Sequence, residues 1–220
     1  MRILLVRHGE SIGNVDKGTY REVADHAVPL TVQGRAQAKK AGKFLLEYYR
    51  SNPFPNPQRV WTSPYLRAIQ TADEIEKALG PGFVLHRRTN IRLREQEFGL
   101  LNGIAGVGGG TAEHYPDVHE NYQRFKRYGG KFYAKNPCGE SRADVCDRVH
   151  MFCGTLKRDL ERHGIEEVWV VCHGTTLRAF VMEWMHYDVE WFEEEPNPPN
   201  CAIRLLEDHE DLGFIYTGGS

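Results

Sequence analysis

An α/β fold of three layers, α/β/α around a mainly parallel sheet, is what this sequence predicts, and three observations carry the prediction. Residues 3–6 and 168–172 are apolar without alternation, as strands covered on both faces are. Segments of helical periodicity follow the strand-like runs in turn, the order of layered α/β units. Both apolar runs also stop on a polar signal: Arg7 and His8 after the first, His173 and Gly174 after the second. Parallel strands present their carboxyl ends to ligand crevices. One such histidine would read as structural; two in matching contexts make a candidate site.

The 220 residues allow one domain with a substantial core, and a single domain over 1–220 is expected. With 28 basic against 30 acidic residues, no global field draws the chain onto nucleic acid or a membrane surface, so any positive site is local. Only four consecutive apolar residues precede Arg7, too few for a secretory core, and no run reaches membrane-spanning length. A soluble, unexported, cytoplasmic protein is expected. Cys138, Cys146, Cys153, Cys172 and Cys201 match neither a disulfide framework nor a zinc pattern, which predicts reduced thiols.

Residues 11–18, with Ser11, Gly13, Asn14, Asp16 and Gly18, read as a loop able to wrap a ligand at the end of the first strand. Thr31 caps a helix to about residue 49, with Ala38, Ala41, Leu45 and Tyr48 near one face. Pro53, Pro55 and Pro57 end it, and a short strand follows over 59–62. Ser63 and Pro64 then predict a cap and a first helical position, with a helix to about residue 79. Arg67 falls in its first turn, beside amides suited to an anion, although an arginine there is most often simply solvated. Gly80, Pro81 and Gly82 break the helix before a strand over 83–85. In the following stretch, 92–99, Glu95 or Glu97 must face the histidines if either is to act.

From 100 to 137 periodicity fails, and glycines give way to interleaved aromatics and cations. This predicts an inserted flap over the carboxyl ends of the strands, with some helix over 117–127. Tyr115, Tyr122, Phe125 and Tyr128 would offer a leaving group apolar surface. The glycines show neither a P-loop ending nor dinucleotide spacing. The aromatic and basic mixture is short and the chain slightly acidic, which favours a lid over a nucleic-acid surface. Ser141 with Asp144 is a capping pattern ahead of a long amphipathic helix through Val145, Val149, Phe152, Leu156 and Leu160. A helix over 175–185, a strand over 200–206 and a short one near 214–217 complete the order.

Arg7, His8, Glu10, Ser11 and Asn14 together resemble the signature of the histidine phosphatase superfamily, which holds the cofactor-dependent phosphoglycerate mutases and many phosphatases. Residues 62–72, with Ser63, Pro64, Arg67, Gln70, Thr71 and Ala72, look like its second motif, and Glu95 to Gly99 like its acid motif. Gly139, Glu140 and Ser141 resemble the segment before its long helix; His173, Gly174, Leu177 and Arg178 resemble its last motif. The matches run in order over most of the chain. The resemblance implies that His8 is the nucleophile that becomes phosphorylated and that Arg7, Arg67 and His173 hold the phosphoryl group. Asn14 assists, Ser11 and Gly174 lie at the substrate, and Glu95 handles the proton.

Elementary chemistry agrees. Phosphoryl transfer spreads charge over three oxygens, so forked guanidiniums, an imidazole and helix-end amides are suitable partners. Neutral imidazole is a competent nucleophile without a metal. A carboxylic acid must be protonated to serve a leaving alkoxide, so activity should be better at mildly acidic to neutral pH than in strong alkali. The substrate class is a small phosphomonoester, with no cofactor and no metal expected; oligomeric state is not legible.

Where mutases typically carry Glu-Arg-His-Tyr-Gly, this chain has Glu95, Gln96, Glu97, Phe98 and Gly99. Gln96 removes a cation for a substrate carboxylate and Glu97 adds a repelling charge, so hydrolysis is favoured over isomerisation and phosphoglycerate is expected to be a poor substrate. The complete set of His8, Arg7, Arg67, Glu95 and His173 opposes a non-catalytic binding module. A metallohydrolase lacks its ligand spacings, and a serine hydrolase lacks its nucleophile elbow.

Overall fold

The computed structural model describes residues 1–52, 57–83, 85–101 and 115–218. Six strands form one sheet: β1 (Arg2–Arg7), β2 (Arg59–Thr62), β3 (His86–Thr89), β4 (Glu167–Cys172), β5 (Ile203–Glu207) and β6 (Glu210–Tyr216). Their spatial order is β3-β2-β4-β1-β5-β6. The first four run parallel, while β5 and β6 form an antiparallel edge.

Successive side chains on a strand point to opposite faces, and both runs that end on histidines are apolar on both. Ile3, Leu5, Val168 and Val170 pack with Phe152, Leu156 and Phe180 of two helices, α5 (Arg142–His163) and α6 (Gly174–Met185). Leu4, Val6, Trp169 and Val171 pack with Leu45 and Ile75 of α2 (Val32–Ser51) and α3 (Leu66–Leu79). Helices therefore cover both faces of the sheet, which is the expected three-layer arrangement. Of the remaining helices, α1 spans Ile12–Val15, α4 Pro116–Gly129 and α7 Val189–Glu194.

The helix starts marked by Thr31 and Ser141 form as expected. Thr31 Oγ1 accepts from the Gly34 amide at 2.9 Å. Ser141 Oγ accepts from the Asp144 amide at 3.0 Å while the Asp144 carboxylate accepts from the Ser141 amide at 2.8 Å.

Other elements differ from expectation. The loop after β1 opens with α1, because Ser11 and Asn14 form a capping box across three residues. The helix assigned to Ser63 starts later, with Tyr65 at its cap position; Ser63 Oγ accepts from the Tyr65 amide in the turn that precedes the helix. The strand expected over 83–85 lies instead at His86–Thr89; Val84 is outside the described residues. That edge strand pairs on one side only and carries polar residues, so no apolar run marks it. Pro53 and Pro55 also fall outside the described residues. The late strands are paired through Asp208 and His209, with Asp208 at φ 50°, as a two-residue hairpin turn requires. Among the described residues no helix is long and apolar enough to cross a membrane.

Candidate active site

β1 and β4 are parallel neighbours with Arg7 opposite Cys172, so His8 and His173 leave the sheet side by side. The His8 amide donates to the Cys172 carbonyl at 3.0 Å, and the two imidazole centroids lie 5.0 Å apart. The sheet register brings together two residues that are far apart in sequence.

His8 is 3% exposed, and its Nδ1 lies 2.7 Å from the Gly9 carbonyl oxygen. A carbonyl only accepts, so Nδ1 carries the hydrogen and Nε2 keeps the free lone pair. Burial first, then the charges of Arg67 and Arg7, hold the His8 pKa well below the ordinary imidazole value. The ring is therefore neutral at ordinary pH.

The loop behind it is fixed by its backbone. The Gly9 amide donates to Thr71 Oγ1 at 3.0 Å and the Glu10 amide to Gln37 Oε1 at 2.9 Å. A Cβ on Gly9 would sit 2.5 Å from the Gly34 carbonyl oxygen, so this approach of loop to α2 requires glycine.

His173 is fully buried, with Nε2 2.8 Å from Ser63 Oγ. Ser63 Oγ accepts from the Tyr65 amide at 3.2 Å, and among the described residues His173 Nε2 is the acceptor within reach of its own hydrogen, so the hydroxyl donates to that nitrogen. The imidazole hydrogen then resides on Nδ1, a buried donor without a partner. Burial and the Arg67 charge keep this ring neutral as well, with its pKa well below the usual value.

Arg67 is 2% exposed rather than solvated. Its Nη1 donates to the carbonyl and to Oδ1 of Asp25, both at 2.7 Å, and its guanidinium lies over the Tyr65 ring. Arg7 donates from Nη1 to the Pro198 carbonyl, while its buried Nε has no partner. Burial lowers the Arg7 pKa against the opposing attraction of Glu95. Asn14 Oδ1 accepts from the Ser11 amide and hydroxyl at 3.0 and 3.1 Å and from Asn200 at 3.4 Å. Its amide hydrogens are thus the atoms left for an anion.

Glu95 Oε1 accepts from the Gln96 amide at 2.9 Å, and Oε2 from the Thr175 amide at 3.4 Å at the start of α6. Arg148 holds the Glu95 backbone, donating to its carbonyl at 3.1 Å and pairing with Glu140.

Arg7, His8, Asn14, Arg67 and Glu95 line one cavity of about 580 Å³. His173 lies buried against His8, and Ser11 is buried behind Asn14. A Cβ on Gly174 would overlap the side chain of Asn197, itself part of the lining. Glu97 is not in this lining; its Oε1 accepts from the Gly99 amide at 3.2 Å. Any repulsion of acidic substrates by Glu97 would therefore act from outside the lining, where its charge still reaches Tyr65. Tyr115, Tyr122, Phe125 and Tyr128 do not line the cavity either, and Phe125 and Tyr128 are 67% and 87% exposed; Phe98 and Leu101 give the apolar lining. The glycines at 103, 106 and 108–110 lie outside the described residues.

Sequence reasoning missed Lys17, Asp25, Arg142, Arg148 and Asn197. Lys17, Asp25, Arg142 and Asn197 come from loops or helix ends and Arg148 from the second turn of α5, where no strand or motif points to the site. Lys17, in the loop after β1, was the nearest to a legible signal.

The sequence profile of the histidine phosphatase superfamily (branch 1) matches residues 3–216. The chain is 37% identical over 218 residues to the phosphoglycerate mutase-like protein AT74H of Arabidopsis thaliana, covering 94% of this chain and 73% of that one. It is 26% identical over 299 residues to the broad-range acid phosphatase DET1 of Saccharomyces cerevisiae, covering 96% and 86%. The structure of mycobacterial glucosyl-3-phosphoglycerate phosphatase with VO3 superimposes with a TM-score of 0.69 at 22% identity, over 95% of this chain and 92% of that one, a likeness of fold.

Proposed function

Because the chain belongs to the histidine phosphatase superfamily, we propose that it hydrolyses small phosphomonoesters in two steps through a phosphohistidine on His8. The observation that carries this is the His8 tautomer: a neutral, buried ring whose Nε2 is free among guanidiniums of the same cavity. Nε2 attacks phosphorus, the P–O ester bond breaks, and the leaving oxygen takes the proton of Glu95. Water then attacks the phosphohistidine, Glu95 takes its proton, and phosphate leaves with His8 restored. Arg7, Arg67, the His173 Nδ1–H and the Asn14 amide hold the phosphoryl oxygens, where charge develops. These groups offset the phosphoryl charge from the chain's own side chains, the role a divalent ion plays elsewhere.

Hydrolysis is favoured over isomerisation because position 96, a cavity wall, holds a neutral amide whose Nε2 donates to the Glu140 carbonyl at 2.9 Å. The single-domain reading is supported by one sheet carrying both histidine strands. A cytoplasmic setting is supported by five free cysteines, with burial pushing the Cys146 and Cys201 thiols up to about 12.

Hydrolysis of an aryl phosphate in excess chelator, followed from pH 5 to 10 beside a mutase assay primed with bisphosphoglycerate, tests the proposal. Phosphate release is expected to survive chelation and to persist as the pH falls below the ordinary imidazole value, because burial and the nearby guanidiniums depress the His8 pKa. Loss on chelation, isomerisation with little phosphate release, or a rate set by protonation of His8 near its ordinary value would each contradict it. A profile climbing steadily to pH 10 would remove Glu95 as the acid.

A further inference from the structure

Glu95 stands on a stretch with no regular structure of its own. Residues 95–98 follow a short turn at Ile91–Leu93 and belong to no helix or strand. Backbone donors and acceptors withdrawn from water need partners wherever they lie, and here side chains of α5 and α6 supply them. Arg148, 8% exposed, donates from Nη1 to the Arg92 carbonyl at 2.6 Å and from Nη2 to the Glu95 carbonyl at 3.1 Å. Thr176, fully buried, donates from Oγ1 to the Arg94 carbonyl at 2.6 Å.

Glu140 fixes Arg148 in turn. Its two carboxylate oxygens accept from Arg148 Nε at 3.0 Å and Nη2 at 3.1 Å, the forked geometry that holds a guanidinium in one orientation. The same carboxylate accepts from the Glu97 amide at 3.0 Å and pairs with Arg94. The Glu95 carboxyl meets these elements as well, with Oε1 3.4 Å from Thr176 Oγ1. Arg148, Glu140 and Thr176 do not line the cavity, whereas Glu95 does. Any effect they have on the reaction therefore passes through the segment they hold.

We propose that Arg148 and Thr176 are positioning residues for Glu95: Arg148, oriented by Glu140, and the Thr176 hydroxyl pin three carbonyls of residues 92–95, so that the acid meets the leaving oxygen at the proton-transfer distance of about 2.6–3.2 Å. This rests on the hydrolase reading above. A glutamate side chain has several rotatable bonds, and its carboxyl is placed no better than the backbone that carries it. A displacement of about 1 Å in such a group can cost about 10²-fold in rate.

The test reads how strongly the rate depends on the leaving group. Proton donation matters little for 2,4-dinitrophenyl phosphate, whose phenolate leaves unaided, and greatly for phenyl phosphate. The readout is the ratio of their kcat/KM values, so a general loss of active protein cancels. Arg148→Lys keeps the charge but not the fork. It also keeps the influence of that charge on His173, whose pKa is lowered by burial, Arg67, His8 and then Arg148. This variant is expected to lose about tenfold to a hundredfold on phenyl phosphate and less than about threefold on the dinitrophenyl ester. Thr176→Val should move the ratio about fivefold in the same direction, and Thr176→Ser should restore it. Glu95→Gln shows the full effect, and adding Arg148→Lys to it should change the ratio less than about twofold, since nothing remains to be positioned. A merely structural role slows both esters alike, so equal losses in the folded variants, or additive losses in the double variant, would overturn the proposal. If Arg148→Lys does not fold, Thr176→Val decides, because it leaves the ion pairs intact. Wild-type leaving-group dependence in Glu95→Gln would remove the acid and the proposal with it. Failure of the wild type to hydrolyse either ester would instead overturn the hydrolase reading, and the positioning role as its consequence.

Discussion

His8→Ala is expected to lower aryl phosphate turnover at least roughly a thousandfold, because no neighbouring group replaces the lost lone pair and removing a covalent nucleophile leaves only binding and electrostatics. The fold should survive. The backbone bond from residue 8 to the Cys172 carbonyl and the amide bonds of Gly9 and Glu10 do not involve the ring. Steady-state rates with thermal melting of both proteins check this. A variant retaining a tenth of wild-type turnover would show that His8 is not the nucleophile.

His173→Ala is expected to cost roughly 10²–10³ in kcat, about 2.7–4 kcal/mol, the scale of removing one pre-oriented donor to a developing anion. The ring is held by Ser63 and fully buried, so its Nδ1–H needs little reorganisation when charge develops. The loss should fall mainly on kcat, since a donor aimed at transition-state charge contributes less to ground-state binding. A kcat within threefold of wild type would place His173 outside the reaction.

The parts of this site that were legible in the sequence are those carried by strand ends and motifs. The unalternating runs before His8 and His173 specified buried parallel strands, and the register Arg7 to Cys172 brings the two histidines together. Arg67 was legible as a position but not as a buried, ion-paired group, because Asp25 reaches it from a loop 42 residues away. Ser63 shows the ambiguity of a capping residue: the same hydroxyl suits a helix start and a histidine partner, and it accepts from the Tyr65 amide while donating to His173. That Glu97 stands outside the cavity lining was not legible, because irregular backbone gives no period to say which way neighbouring carboxylates point. Its backbone carbonyl accepts from the Glu140 amide at 2.8 Å, and its own carboxylate turns to Gly99. The strand at His86–Thr89 escaped notice because an edge strand buries too little apolar surface to leave a pattern, and the exposed aromatics of α4 show that an amphipathic segment need not face the site.

The central claim is a covalent intermediate on one atom. Brief reaction with a phosphate donor, alkaline quench, and NMR and peptide mapping of the labelled protein locate that phosphate directly. Because Nδ1 of His8 donates to the Gly9 carbonyl at 2.7 Å, acid-labile phosphate is predicted on Nε2 of His8. Label on Nδ1, on any other residue, or no phosphoenzyme during rapid turnover would contradict it.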